Sequence, residues 1–147
     1  AKLYELKNIK GVKDATGDPN RIDATLKKLG PDFIQLTGED GFALEFNRRG
    51  GVGIISVTAN IAPKLCSDFQ KYSKSKTDNE IKEAERIDQI LQPIHKSLFI
   101  ESNPAPVKYA AKLLGLCGDE IRLPLVKIKK ETEDQVKKAL SSANLLS

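Results

Sequence analysis

Lys13 is the residue best placed to do covalent chemistry, because it closes a short run, Ile9-Lys10-Gly11-Val12, that reads as a β-strand. In α/β barrels the reactive groups stand at the carboxyl ends of strands and point into the mouth. An ammonium held there in a partly dry pocket is destabilised, and the free amine it leaves is a nucleophile. Its attack on a ketone gives an imine, an electron sink for making or breaking a carbon–carbon bond. The competing reading is a solvated surface lysine, the usual fate of this residue type.

Other residues offer less. Gly17 and Gly38 follow the first two strand-like runs, where the backbone must turn sharply and lie close to whatever fills the mouth; plain turns explain them equally well. Asp18, Glu39 and Asp40 are candidate acids or metal ligands, and helix N-capping accounts for them more simply. His95, the one histidine, lies within a long helical pattern with no Cys or carboxylate constellation around it. Cys66 and Cys117 lack metal-ligand spacing and read as reduced thiols of a cytoplasmic protein. No metal site and no nucleotide-binding or nucleophile-elbow motif is expected.

The elements that must position Lys13 alternate. Strands are predicted near residues 9–13, 33–37 and 52–57. Between them lie a helix opened by Asp18 or Pro19 and closed at Gly30-Pro31, and another carrying Phe42, Leu44 and Phe46 that ends at Gly50-Gly51. The third strand is apolar nearly throughout, as a strand covered on both faces is. Such alternation is the signature of βαβ units and a parallel sheet. Helical patterns then take over, at 62–74, 79–98, 106–114 and 132–146, with Pro93 expected to kink or divide the longest. Residues 1–60 therefore read as α/β, with a spacing of roughly 20 residues per βα unit that suits a (β/α) barrel, and the residues beyond as helical. Three parallel strands cannot close a barrel, and a complete one takes about 250 residues. Val12, Ile34 and Ile55 are expected on an inner face that further strands would cover, and the open edges predict association with another half or an oligomer.

The 147 residues suit one globular domain, with 39% hydrophobic and 30% charged. A net charge of +4 is a weak case for nucleic acid, since lysines alternate with acids, as in Lys129-Lys130-Glu131-Thr132-Glu133-Asp134, and aromatics are only 5%. The longest apolar run, residues 52–63, is broken by glycine, serine, threonine and asparagine, while a spanning helix needs about 20 apolar residues. Neither a membrane nor a nucleic-acid partner is expected. No signal peptide is read at the start, which lacks an apolar core.

The motif Gly11-Val12-Lys13-Asp14-Ala15-Thr16-Gly17-Asp18 resembles the Schiff-base lysine motif of the dihydrodipicolinate synthase family. The resemblance continues through Leu36-Thr37-Gly38-Glu39-Asp40, residues 53–63, Pro93-Ile94-His95-Lys96-Ser97-Leu98-Phe99, Glu101-Ser102-Asn103-Pro104-Ala105-Pro106-Val107-Lys108 and Arg122-Leu123-Pro124-Leu125. It implies a lyase that condenses pyruvate with L-aspartate 4-semialdehyde in lysine and diaminopimelate biosynthesis. Lys13 would carry the pyruvate imine, with no separate cofactor, and Gly38 and the backbone of Ile55 would contact the bound pyruvate.

The same resemblance makes the chain a C-terminal half: residues 1–60 the last three βα units of a TIM (β/α)8 barrel, 61–147 the final barrel helix and a C-terminal helical extension, and residues 1–7 the tail of the helix before the sixth strand. The family's proton-relay tyrosine, carboxylate-binding threonines, second-substrate arginine and lysine feedback site would all lie upstream. Tyr4, Tyr72 and Tyr109 stand at other positions. Other pyruvate lyases, such as N-acetylneuraminate lyase, share the barrel and the lysine. A non-catalytic half-barrel working as an assembly module is the reading from a different class.

Overall fold

The computed structural model of the protein describes residues 2–146. In chain order its elements are β1 (Gly11–Asp14), α1 (Pro19–Leu29), β2 (Ile34–Thr37), α2 (Ala43–Arg48), β3 (Gly53–Ile54), α3 (Pro63–Tyr72), α4 (Asp78–Ser97), α5 (Ala105–Leu113) and α6 (Lys130–Ser142). Single 3-10 turns occupy Lys2–Glu5, Asp40–Phe42 and Thr58–Asn60. Where a helix tail was expected, residues 2–5 form only such a turn. The chain divides into two compact units: one runs to Ser56 and also takes Gln70–Glu85, and the other holds Val57–Phe69 and the residues from Arg86 onward. Among the described residues no helix is long and apolar enough to cross a membrane.

In the first unit the strands form a parallel sheet in the order β1-β2-β3. α1 begins where Asp18, in an extended conformation, accepts the Asn20 amide on its carboxylate at 3.0 Å, and Pro19 fills the first helical position. Gly30 ends it at φ 83°, its N–H bonded to the Leu26 carbonyl at 2.9 Å. Ile22 is buried, and the Gln35 side-chain amide donates to the Ile22 carbonyl at 3.4 Å, so α1 lies over one face of β2. Asp18→Ala is expected to cost about 0.5–2 kcal/mol, readable by chemical denaturation, because it strips the helix of its only side-chain cap.

Register decides which residues share a face. Partners in a parallel ladder point the same way, and successive residues alternate. Lys13 pairs with Leu36 and Leu36 with Gly53, so these three share a face with Ile34, Gly38 and Ile55. Val12 pairs with Gln35, and Asp14 with Thr37, on the face toward α1. On that second face Gln35 and Thr37 are buried, whereas Ile34 and Ile55 on the first are 45% and 52% exposed. The open face was expected. Val12 does not belong to it: its 40% exposure is that of an edge strand with a neighbour on one side only.

Two strands are shorter or shifted. β1 starts at Gly11, because Asn8 and Ile9 are taken up in a turn closed by the Ile9 amide on the Leu6 carbonyl at 3.1 Å. β3 has two residues where six were predicted. Backbone bonds from Val52 to Gln35 (3.0 Å) and from Ile55 to Thr37 (2.9 Å) flank it, and the chain then leaves β2 for the turn at Thr58–Asn60. A strand with a single neighbour ends where that neighbour's ladder ends.

In the second unit α4 buries Ile87, Leu91 and Ile94, and Leu98 just past its end, to 2% exposure or less. The helix runs through Pro93 undivided, since Pro93 faces outward and the buried residues on both sides of it hold the axis. α5 packs against α6, and Val107, Ala110 and Ala111 of the first and Val136, Ala139 and Leu140 of the second are buried. α6 stops four residues before its expected end: Asn144 adopts φ 55°, and the Leu145 amide returns to the Leu140 carbonyl at 3.0 Å. That left-handed closure is an asparagine end signal.

Candidate active site

Lys13 stands on the open face near the carboxyl end of β1 and is exposed. Its tail lies over Gly38, the residue that follows β2 on the same face. A Cβ built on Gly38 would collide with Lys13 Cε, come within 2.9 Å of Ala15 Cβ and stand 3.3 Å from Lys13 Nζ. Gly38 is thus required by close approach rather than by a turn. Among the described residues Lys13 makes no ion pair, because alternation turns the next residue, Asp14, to the other face. Ile55 closes the row. Its N–H is spent on the Thr37 carbonyl, so the backbone group it can offer a ligand is its carbonyl. The structure brings Lys13 and Gly38 into contact and puts Ile55 on the same face, one strand further on. The partly dry pocket expected around Lys13 is absent from the described residues: that side of the sheet is open.

Asp14 is engaged away from the lysine. Its carboxylate accepts from the Thr16 amide (2.8 Å), the Thr16 hydroxyl (2.6 Å) and Arg21 Nε (2.5 Å), while its carbonyl accepts the Gly38 amide at 2.7 Å. Burial alone raises its carboxyl, but the bonds from Thr16 and Arg21 outweigh this and hold it below its ordinary value. A depressed folded value means a contribution that is complete above the unfolded value, about 4, and is lost as pH falls through the folded one. Asp14→Asn should therefore lower the denaturation midpoint by a modest amount at about pH 7, with the difference from wild type shrinking as pH falls below about 4, measured by urea titration across that range.

The acids near Gly38 depart from the capping expectation. Asp18 caps α1 as expected, but Glu39 makes no side-chain cap. Asp40 is 2% exposed and accepts a hydrogen bond from the Ser56 hydroxyl. That partner was not foreseen. The available signal was position: Asp40 and Ser56 each lie just past a strand end. His95 is a satisfied core histidine, with Nδ1 2.7 Å from Thr58 Oγ1. Tyr4 packs edge-on against Phe33, with ring centroids 4.8 Å apart. Cys66 is buried and Cys117 exposed, and among the described residues neither forms a disulfide. Among the described residues no three His, Cys, Asp or Glu side chains form a metal-binding group.

Residues 1–143 match the model of the dihydrodipicolinate synthetase family. The chain belongs to this family. It is 70% identical to the 4-hydroxy-tetrahydrodipicolinate synthase of Pelagibacter ubique, over 99% of this chain and 50% of that protein. To the enzyme of the same name from Parvibaculum lavamentivorans it is 52% identical, over 99% of this chain and 49% of the relative. The chain thus spans about half the length of the curated relatives it matches. It superposes on the chloride-inhibited dihydrodipicolinate synthase from Acinetobacter baumannii, solved with pyruvate, at a TM-score of 0.91 and 37% identity, covering 99% of this chain and 49% of that one. The α/β portion with its three parallel strands is thus a partial copy of the dihydrodipicolinate synthase fold.

Proposed function

We propose that Lys13 is the imine-forming nucleophile of a 4-hydroxy-tetrahydrodipicolinate synthase, condensing pyruvate with L-aspartate 4-semialdehyde. The observation that carries the reading is the placement of Lys13, which makes no ion pair among the described residues and lies on Gly38 at the strand end. The amine attacks the ketone carbon of pyruvate, and water leaves as the imine forms. Loss of a methyl proton gives an enamine, whose carbon attacks the aldehyde. Gly38 leaves room for the three-carbon unit, and the Ile55 carbonyl lies along the same face. The likeness to a relative solved with pyruvate supports this substrate.

In this reading the chain is the C-terminal half of the barrel with its helical extension, divided near residue 60. The open face bearing Ile34 and Ile55 takes the remaining strands, and the whole assembles as a cytoplasmic homo-oligomer. The test is intact-protein mass spectrometry of the protein made from its own gene, before and after pyruvate with borohydride. The expected result is a reduced three-carbon adduct that maps to Lys13. An adduct on another lysine overturns the assignment to Lys13, and an unmodified protein overturns the reading and favours a non-catalytic assembly module.

A further inference from the structure

Gly38 and Ile55 lie where the ladder ends, each held to the sheet by its own amide. β3 gives the ladder two residues, and its last backbone bond to β2 is Ile55 N–H on the Thr37 carbonyl. Past that point two side chains take over. The Ser56 hydroxyl, one residue after Ile55, donates to the carboxylate of Asp40, two residues after Gly38. A carboxylate as buried as Asp40 is costly unless it is hydrogen-bonded, and Ser56 supplies such a bond. On its other side the Gly38 segment is fastened by the Gly38 amide to the carbonyl of Asp14, one residue after Lys13. The segment between Gly38 and Asp40 is therefore tied to the residue after Lys13 and to the residue after Ile55.

We propose that Asp40 and Ser56 are positioning residues for the imine site. Their hydrogen bond is a clasp that fixes Ile55 relative to Gly38 and so sets the floor on which pyruvate must lie beside Lys13. The proposal rests on the reading of Lys13 as the imine-forming group. It predicts that loosening the clasp weakens pyruvate capture while leaving α1, on the other face, undisturbed.

The test uses Ser56→Ala, Asp40→Ala, the double variant, and the exchanged pair Asp40→Ser with Ser56→Asp, in the protein made from its own gene. Two readouts are taken: the pyruvate concentration that half-saturates borohydride trapping, and the hydrogen exchange of the Ile55 amide with α1 amides as the internal reference. Each single variant should raise half-saturating pyruvate about tenfold and speed Ile55 exchange about tenfold, with α1 amides unchanged. The double variant should be no worse than the worse single, and the exchanged pair should recover part of the loss.

Additive losses, or Ile55 exchange that stays at the wild-type rate, overturn the clasp. General acceleration that includes α1 also overturns it, since the pair would then support the fold as a whole. Should the wild type take up no pyruvate, the proposed function falls, while Ile55 exchange still decides whether the clasp exists.

Discussion

Lys13→Arg should abolish the pyruvate adduct and lower condensation by on the order of 10³-fold or more, with the fold intact. Arginine keeps the positive charge and the long apolar stem, but its guanidinium does not deprotonate in proteins and offers no amine to a ketone. The substitution therefore separates a nucleophile from a cation that merely attracts carboxylates. An electrostatic role survives it; an imine does not. Because Lys13 is exposed and makes no ion pair among the described residues, its loss should leave the thermal midpoint within about 2 °C of wild type. Lys10→Arg is the matching control: Lys10 lies just before β1 and should keep full trapping. Trapping that persists in Lys13→Arg would place the imine on another amine.

The sequence carried the elements and the strand-end lysine because those depend on local signals. Asp18-Pro19 opens α1 and Gly30 closes it through capping and left-handed geometry, which residue types reveal directly. The length of β3 was not legible, since an apolar run shows the tendency to extend but not how many neighbours it will find. For the same reason Val12 was put on the wrong face. Its side follows from the pairing of Lys13 with Leu36, and pairing is tertiary information. Pro93 reads locally as a break, yet the buried residues around it carry α4 through. Asp40 reads locally as a helix cap, whereas its partner Ser56 lies sixteen residues on, across a strand and a helix. Within the candidate site, Lys13 was read from its place at a strand end, the roles of Gly38 and Ile55 came by resemblance, and what the fold added was their common face.

Gly38→Val should cut pyruvate trapping about 10²-fold, because the new side chain takes the space in which the Lys13 tail lies. A Cβ alone would collide with Lys13 Cε and stand 2.9 Å from Ala15 Cβ, and valine adds two further methyl groups in the same direction. The lysine can swing aside, since its far end is flexible and exposed, but Nζ then leaves the position beside Gly38. A displacement of about 1 Å at a reacting atom is enough for a loss of this size. The contact with Ala15 costs stability as well, about 1–3 kcal/mol for an overpacked site. The two effects separate by comparison with Gly51→Ala, where the added Cβ meets the Phe46 ring and lies 2.8 Å from the Phe46 carbonyl, away from Lys13. Gly51→Ala should lower the denaturation midpoint and leave trapping per folded molecule unchanged, whereas Gly38→Val should lose trapping far beyond its loss of stability. Equal losses per folded molecule in both would mean that Gly38 serves the fold and not the lysine.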